Sequence, residues 1–232
     1  MKTTHEIIVM LSLLEQGSWS RQYDFILNQK DLNTVAGEAI MGKYLANGID
    51  FITILDSDYP TKLSLNSPKP PLCIAFKGDI NLLNAKNVLG YFSATPCFSP
   101  ISDKKLTIMC YIKDLQNARK EFPSANFIVI VNGIDALCDV ETLPNVLFIT
   151  TTLSDIENRM VLPKRCTHLL CGGNYNKAGY VDTIICTALS TGADILVFPT
   201  EKQSWGNELI KSGAYCIDKP EDIEFELGND YE

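Results

Sequence analysis

Hydrophobic positions in the N-terminal part of the chain recur at helical spacing. Within residues 1–48, apolar side chains such as Ile7, Leu11 and Leu14 lie three or four positions apart, which is typical of amphipathic helices. Glycine-containing breaks, the last of them at Gly48, interrupt this spacing. The pattern therefore predicts several short helices rather than one long one.

The following segment changes to a short β-rich run and then to a proline-rich linker. The run occupies residues 51–55, and the linker reads Ser-Pro-Lys-Pro-Pro at 67–71, a composition that favours a stiff, extended backbone. We therefore predict a small helical domain over residues 1–67, with one strand-like segment, and a second domain over residues 68–232.

Beyond the linker, apolar runs typical of strands alternate with helix-like segments. The run at 127–131 is continuously apolar, as expected for a strand covered on both faces. Residues 105–122 are predicted as one amphipathic helix, because Leu106, Met109 and Leu115 mark an apolar stripe. Such alternation predicts an α/β fold with a doubly wound, mainly parallel sheet. The predicted strands are 72–76, 87–92, 127–131, 146–149, 168–171, 194–198 and 215–217.

Composition and charge narrow the function classes. The net charge of −8 disfavours a broad electrostatic grip on nucleic acid, because non-specific affinity comes largely from neutralised phosphates. Part of that acidity belongs to the tail at 221–232, so a local basic patch remains compatible with it. No segment has the pattern of a signal peptide or a membrane span. Eight cysteines without a C-x-x-C pair are expected to be free thiols of a cytoplasmic protein without a metal site.

Ligands of doubly wound sheets bind outside the carboxyl ends of the strands, often against a helix N-terminus. Two predicted strand ends carry suitable but common residues. The first is the loop from Gly90 to Thr95, where Ser93 offers a hydroxyl to an anion. The second is Asn132-Gly133, followed by an aspartate that is as well suited to capping a helix as to binding a ligand.

The third strand end favours an anion site over a plain loop. Residues 172–179 read Gly-Gly-Asn-Tyr-Asn-Lys-Ala-Gly and open a predicted helix that contains Thr183. Gly173 and Gly179 permit close backbone approach to a phosphate, and Lys177 adds a positive charge. The segment is neither a Walker A sequence nor a dinucleotide-binding fingerprint.

Catalytic motifs are missing from the sequence. It contains no G-x-S-x-G, no H-E-x-x-H and no plausible Cys-His pair, and its histidines are His5 and His168. We therefore predict a protein that is not an enzyme, with no catalytic residues and no cofactor.

Read in order, these segments resemble the DprA/Smf family of DNA-processing proteins. An Asp-Ser-Asp-Tyr-Pro stretch precedes a proline pair and a Gly-Asp, and a Gly-Ile-Asp follows the most hydrophobic strand. Asn158-Arg159 stands in a segment similar to the family's Arg-Asn-Arg helix start. The resemblance is carried by residues 54–63, 70–72, 76–79, 133–135, 157–160, 178–183, 199, 205–214 and 220–223.

The resemblance implies a Rossmann-like domain behind a small helical N-terminal domain. It also implies a homodimer that binds single-stranded DNA, acts in recombination and hands the DNA to the RecA recombinase during natural transformation. The phosphate contacts would be Asn158, Arg159, Lys177, Gly179 and Thr183, with Gly173, Ser93, Asn132 and Gly133 in support.

Two departures from the family pattern favour weakened DNA binding. The family's first loop carries an arginine, whereas Gly90 is followed here by Tyr91-Phe92. A longer segment that carries a DNA-contacting lysine in the family is shortened between Asp135 and Asn158. A Rossmann module that senses a nucleotide or another phosphate ligand is therefore an alternative. A nucleotide phosphoribohydrolase is a second one, since Gly172-Gly173 resembles the glycine loop of those enzymes.

Overall fold

The computed structural model describes residues 2–92, 106–151, 158–172, 179–200 and 204–228. Within these ranges the chain forms ten α-helices and nine β-strands. The helices are α1 (Thr4–Leu14), α2 (Trp19–Leu27), α3 (Thr34–Leu45), α4 (Thr61–Leu65), α5 (Leu115–Glu121), α6 (Ile134–Asp139), α7 (Val161–Arg165), α8 (Tyr180–Ser190), α9 (Trp205–Lys211) and α10 (Pro220–Gly228). The strands are β1 (Asp50–Thr53), β2 (Cys73–Lys77), β3 (Leu89–Phe92), β4 (Thr107–Tyr111), β5 (Asn126–Ile130), β6 (Val146–Thr150), β7 (His168–Cys171), β8 (Asp194–Val197) and β9 (Tyr215–Cys216).

The chain divides into two compact units. The first unit comprises residues 1–84 and 130–161, and the second comprises residues 85–129 and 162–232. The domain boundary expected near residue 67 stays a prediction.

The first unit combines the N-terminal helices with antiparallel strands. Helices α1 and α3 contact each other, and β2 pairs antiparallel with both β1 and β6. Helix α1 begins with a capping box, in which the Thr3 side chain accepts from the Glu6 backbone N–H and the Glu6 carboxylate accepts from the Thr3 backbone N–H. The helical character expected for the N-terminal region is therefore confirmed.

The Asp-Ser-Asp-Tyr-Pro stretch forms a loop after β1, and two of its residues have a structural role there. The Asp56 carboxylate accepts from the Thr53 backbone N–H at 2.6 Å and lies 2.9 Å from His5 Nδ1. Burial raises the pKa of Asp56, but the Thr53 hydrogen bonds and the nearby His5 outweigh it, so that the pKa is lowered. Tyr59 is buried and donates its hydroxyl to the Pro71 carbonyl at 2.7 Å. These bonds fix the loop to its surroundings.

Six strands of the second unit lie in the order β5-β4-β3-β7-β8-β9. The pairs β3–β4, β3–β7, β7–β8 and β8–β9 are all parallel. When the strands of this unit are numbered along the chain, the order is 3-2-1-4-5-6, which defines the Rossmann dinucleotide-binding fold. The predicted α/β class with a mainly parallel, Rossmann-like sheet is confirmed.

The single helix predicted over residues 105–122 is wrong. Residues Thr107–Tyr111 form β4, all five of them buried, and the α-helix begins only at Leu115. Thr-Ile-Met-Cys-Tyr offers no charged residue that would face water on a helix, whereas a central strand is covered on both faces. The apparent stripe of Leu106 and Met109 is part of this continuous apolar run.

No helix in the described part of the chain combines the length and the apolar character that crossing a bilayer requires.

Candidate functional site

The strand order of the second unit reverses at β3. Strand β3 pairs with β4 on one side and with β7 on the other, and Phe92 at its carboxyl end is in register with Cys171. In open α/β sheets, ligands bind at such a switch point, outside the carboxyl ends of the strands. The fold therefore places the candidate site of this unit beside Phe92 and Cys171.

Three aromatic side chains occupy this edge of the sheet. The ring centroid of Phe92 lies 6.1 Å from that of Tyr111 and 6.2 Å from that of Tyr180, both in edge-to-face geometry. The Tyr180 hydroxyl donates to the Tyr111 hydroxyl at 3.2 Å. Phe92 and Tyr111 are only 3% and 6% exposed. With Tyr180 they form an apolar floor that no sequence motif indicates; Phe92 and Tyr111 each end a strand, and Tyr180 starts a helix.

Helix α8 begins at this edge with Gly179 as its N-cap. Gly179 has φ +78° and ψ −137°, a conformation that favours glycine, and no described side chain caps the helix. Thr183 is exposed, and both its backbone N–H and its hydroxyl donate to the Gly179 carbonyl, at 3.3 and 3.2 Å. The first-turn N–H groups of this 11-residue helix suit an anion. The expected positions of Gly179 and Thr183 at a helix start are therefore confirmed, while their role as contacts stays a prediction.

Three predicted contacts, Ser93, Gly173 and Lys177, lie outside the described residues. Their roles stay predictions. Gly90, which was expected to open the first loop, instead lies inside β3. A Cβ at this position would meet Leu169 Cδ1 at 2.9 Å and Leu162 Cδ2 at 3.0 Å. Close packing against side chains accounts for this glycine.

In the first unit, Asn158 joins the chain segments that follow β5 and β6. Its Oδ1 accepts from the Thr151 backbone N–H at 3.0 Å and from the Thr151 hydroxyl at 3.1 Å. Its Nδ2 donates to the Val131 carbonyl at 2.7 Å, and the residue is only 1% exposed. The amide therefore fixes where the chain leaves both strands.

Asn132 and Gly133 follow Val131 directly. Asn132 is exposed, and Gly133 is the N-cap of α6 with φ +86° and ψ +157°. Because Asn158 holds Val131, it also fixes the starting point of the Asn132-Gly133 turn. Arg159, the next residue after Asn158, is partly exposed. Next to the carboxyl ends of β5 and β6 the chain thus carries one structural amide, that of Asn158, and three candidate contacts, Asn132, Gly133 and Arg159.

Asp135 has a structural partner on helix α3. Its carboxylate accepts from the Tyr44 hydroxyl at 3.0 Å and lies 3.3 Å from Lys43 Nζ. Burial and then the Asp135 hydrogen bond raise the pKa of Tyr44 to about 12. This aspartate of the Gly-Ile-Asp segment thus connects α6 to α3.

The thiols and carboxylates of the described residues form no group of three that could hold a metal ion. Cys73, Cys110, Cys166 and Cys171 are buried, and none of them is in a disulfide. Burial raises the pKa of Cys73, Cys110 and Cys171, which makes these thiols poor nucleophiles.

Comparison with solved structures identifies relatives in fold. The X-ray structure of DNA processing protein A (DprA) from Streptococcus pneumoniae matches with a TM-score of 0.59 and 17% identity, covering 97% of this chain and 93% of that one. A structure of DNA processing protein A from Helicobacter pylori, which addresses its single-stranded DNA binding mode, matches with a TM-score of 0.51 and 14% identity, covering 80% of this chain and 99% of that one. No protein-family model and no curated protein sequence matches the chain. The expected DprA-like fold is confirmed.

Proposed function

We propose that this protein binds single-stranded DNA without catalysing a reaction on it. The observation that carries the proposal is the DprA-like fold over nearly the whole chain, shared with a protein whose single-stranded DNA binding mode is described. The Rossmann strand order supports it, because it places the start of α8 at the edge of the sheet where ligands of this fold bind.

Each unit would supply its own contacts. In the first unit, Arg159 would bind phosphate as a bidentate donor, and Asn132 with Gly133 would support it. In the second unit, the N–H groups that follow Gly179 would donate to the phosphate backbone of the DNA. The Thr183 hydroxyl, which donates to the Gly179 carbonyl in this structure, would turn from that carbonyl to a phosphate when DNA binds. Lys177, Gly173 and Ser93 complete the proposed set. Asn158 was expected to contact phosphate, but since its amide already binds Thr151 and Val131, we assign it a positioning role.

The biological setting is also a proposal. A cytoplasmic DprA-like protein would act as a homodimer in recombination and pass single-stranded DNA to RecA during DNA uptake. Direct assays of RecA loading on oligonucleotides, with and without this protein, test that step. A rate of RecA filament formation that the protein leaves unchanged would restrict the proposal to DNA binding alone.

The salt dependence of binding tests the contact set. Each phosphate neutralised on a single strand contributes about −0.7 to the slope of log K against log salt. Two to four contacts predict a slope of roughly −1.5 to −3 for labelled oligo-dT, measured by fluorescence anisotropy. Arg159→Ala and Lys177→Ala should each make the slope shallower by about 0.7, and Arg159→Ala should weaken binding more than it lowers the stability measured by thermal unfolding.

Arg21→Ala provides the control for these two variants. Arg21 is an exposed arginine on α2, so its removal changes the net charge equally without removing a proposed contact. A loss of binding in Arg21→Ala as large as that in Arg159→Ala would show that net charge, rather than a specific contact, controls affinity.

A nucleotide is the second candidate ligand, and the aromatic edge of the second unit favours it. Phe92, Tyr111 and Tyr180 lie beside the start of α8. Of the three rings only that of Tyr180 is partly exposed, and it could meet one base next to one phosphate group at the helix start. Competition by a mononucleotide as strong as that by oligo-dT of equal phosphate concentration would favour this alternative.

A further inference from the structure

A groove on the surface of the second unit follows directly after β4. Its cavity volume is about 410 Å³, and it is lined by Ile112, Leu115, Gln116, Arg119 and Lys120. Ile112 is 40% exposed although it is apolar, while Leu115 is 9% exposed. Gln116, Arg119 and Lys120 are exposed. The groove thus combines an apolar surface with two positive charges.

Of the two acidic residues of this segment, one is buried and the other, Glu121, is partly exposed. Asp114 is only 8% exposed, and burial raises its pKa despite the neighbouring Lys113. Burial also raises the pKa of Glu121 to about 7, opposed by a hydrogen bond from Tyr91. Asp114 therefore does not offset the positive charges of the groove as an exposed aspartate would, and Glu121 offsets them only in part.

The outward face of the same segment is positive. Lys113, Arg119 and Lys120 are exposed, and they are the basic residues of 112–121. An anionic partner therefore meets three cations there and one partly exposed carboxylate, that of Glu121.

The groove starts on the ligand-binding edge of the sheet. Ile112 directly follows Tyr111, the last residue of β4 and a member of the aromatic group at that edge. The seven residues of α5 then extend about 10 Å away from it. A ligand that crosses the edge at β3 and β4 can continue into the groove.

We propose that this groove binds a segment of single-stranded nucleic acid that continues from the carboxyl edge of the sheet. Arg119 and Lys120 contact its phosphates, and Ile112 with Leu115 contact its bases. The inference rests on the proposed function and adds a second binding surface to it.

The chemistry of the groove favours a single strand over other polyanions. A single strand exposes apolar base faces and phosphates together, which matches a surface where apolar and cationic side chains alternate. A duplex hides its base faces and needs only the cations. An acidic peptide also needs only the cations, unless it carries matching apolar side chains.

Charge removal in the groove tests the proposal. The double variant Arg119→Gln/Lys120→Gln should bind a labelled oligo-dT of about 16 nucleotides roughly tenfold more weakly at low salt, with a slope shallower by about 1.4. Binding of an oligo-dT of about four nucleotides, which the edge of the sheet alone accommodates, should be unchanged. The control Lys211→Gln/Lys219→Gln removes two exposed lysines of the same unit and should behave like the wild type.

Three results would overturn the groove proposal. In the first, the wild type binds the long oligonucleotide and both double variants bind it equally well. The groove is then not a contact, and the proposed function stands. In the second, poly-glutamate competes as strongly as oligo-dT of matched charge. The partner of the groove is then an acidic peptide rather than a single strand. If the wild type binds neither oligonucleotide, the proposed function fails and the groove proposal fails with it.

Discussion

Gly78→Ala should destabilise the protein by about 3 kcal/mol or more, the largest effect we expect from a single methyl group. Gly78 has φ +119°, where a residue with a Cβ is strained by about 1–2 kcal/mol. The added Cβ would also lie 2.4 Å from the Val146 carbonyl oxygen and 3.2 Å from Leu147 Cα. These are backbone atoms of β6, so relief requires the strand to move, at a cost of about 1–3 kcal/mol.

Thermal unfolding followed by circular dichroism measures this loss. A destabilisation of about 3 kcal/mol lowers the midpoint by roughly 6–12 °C for a chain of this size. Gly213→Ala is the matched control, because Gly213 has φ +106° but nothing lies within 4 Å of the point that a Cβ would occupy there. Gly213→Ala should show only the part of the destabilisation that comes from backbone strain, about 1–2 kcal/mol. Equal shifts in the two variants would contradict the close approach of Gly78 to β6.

Asn158→Ala should cost about 2–6 kcal/mol, because two buried backbone groups lose their hydrogen bond to this side chain. The Thr151 N–H loses its acceptor and the Val131 carbonyl loses its donor. Each buried polar group left unsatisfied costs about 1–3 kcal/mol. The midpoint of thermal unfolding should fall accordingly, and binding of oligo-dT should weaken as the Asn132-Gly133 turn loses its fixed starting point.

The variant Asn132→Ala separates the effect on DNA binding from the effect on stability. Asn132 is exposed, so its replacement should change the stability by less than about 0.5 kcal/mol while still weakening oligo-dT binding. An Asn158→Ala variant with wild-type stability would mean that the amide does not connect the ends of β5 and β6. In that case Asn158 would return to the set of candidate ligand contacts.

Local sequence patterns were sufficient wherever one residue type determines the backbone. Gly179 predicted the start of α8, and the apolar runs at 127–131 and 168–171 predicted β5 and β7 within one residue. Repeated alternation of strands and helices predicted the fold class. These features depend on short-range spacing, which a sequence displays directly.

Features that depend on contacts between distant segments were not predictable. Asn158 was assigned to phosphate binding because its partners, Val131 and Thr151, are identifiable only once the two strands are placed. Likewise, the contacts of Phe92 with Tyr111 and Tyr180 join three separate elements. The helix predicted at residues 107–111 is a strand, because a mostly apolar run is compatible with a buried strand and a buried helix alike in sequence.

The charge of the chain illustrates the same limit. The net charge of −8 argues against nucleic acid binding if charge is spread evenly. In the segment around α5, however, Asp114 is buried while Arg119 and Lys120 are exposed. Only the structure shows which charges reach the solvent, and therefore where a polyanion can bind.

The most direct test of the central claim is the affinity of the purified full-length protein for labelled oligo-dT, measured by anisotropy at low salt with three unlabelled competitors. We predict saturable binding that unlabelled oligo-dT displaces, while duplex DNA and a mononucleotide at equal phosphate concentration displace far less of the label. The absence of binding at low salt, or displacement by the mononucleotide as effective as that by oligo-dT, would contradict single-stranded DNA as the ligand.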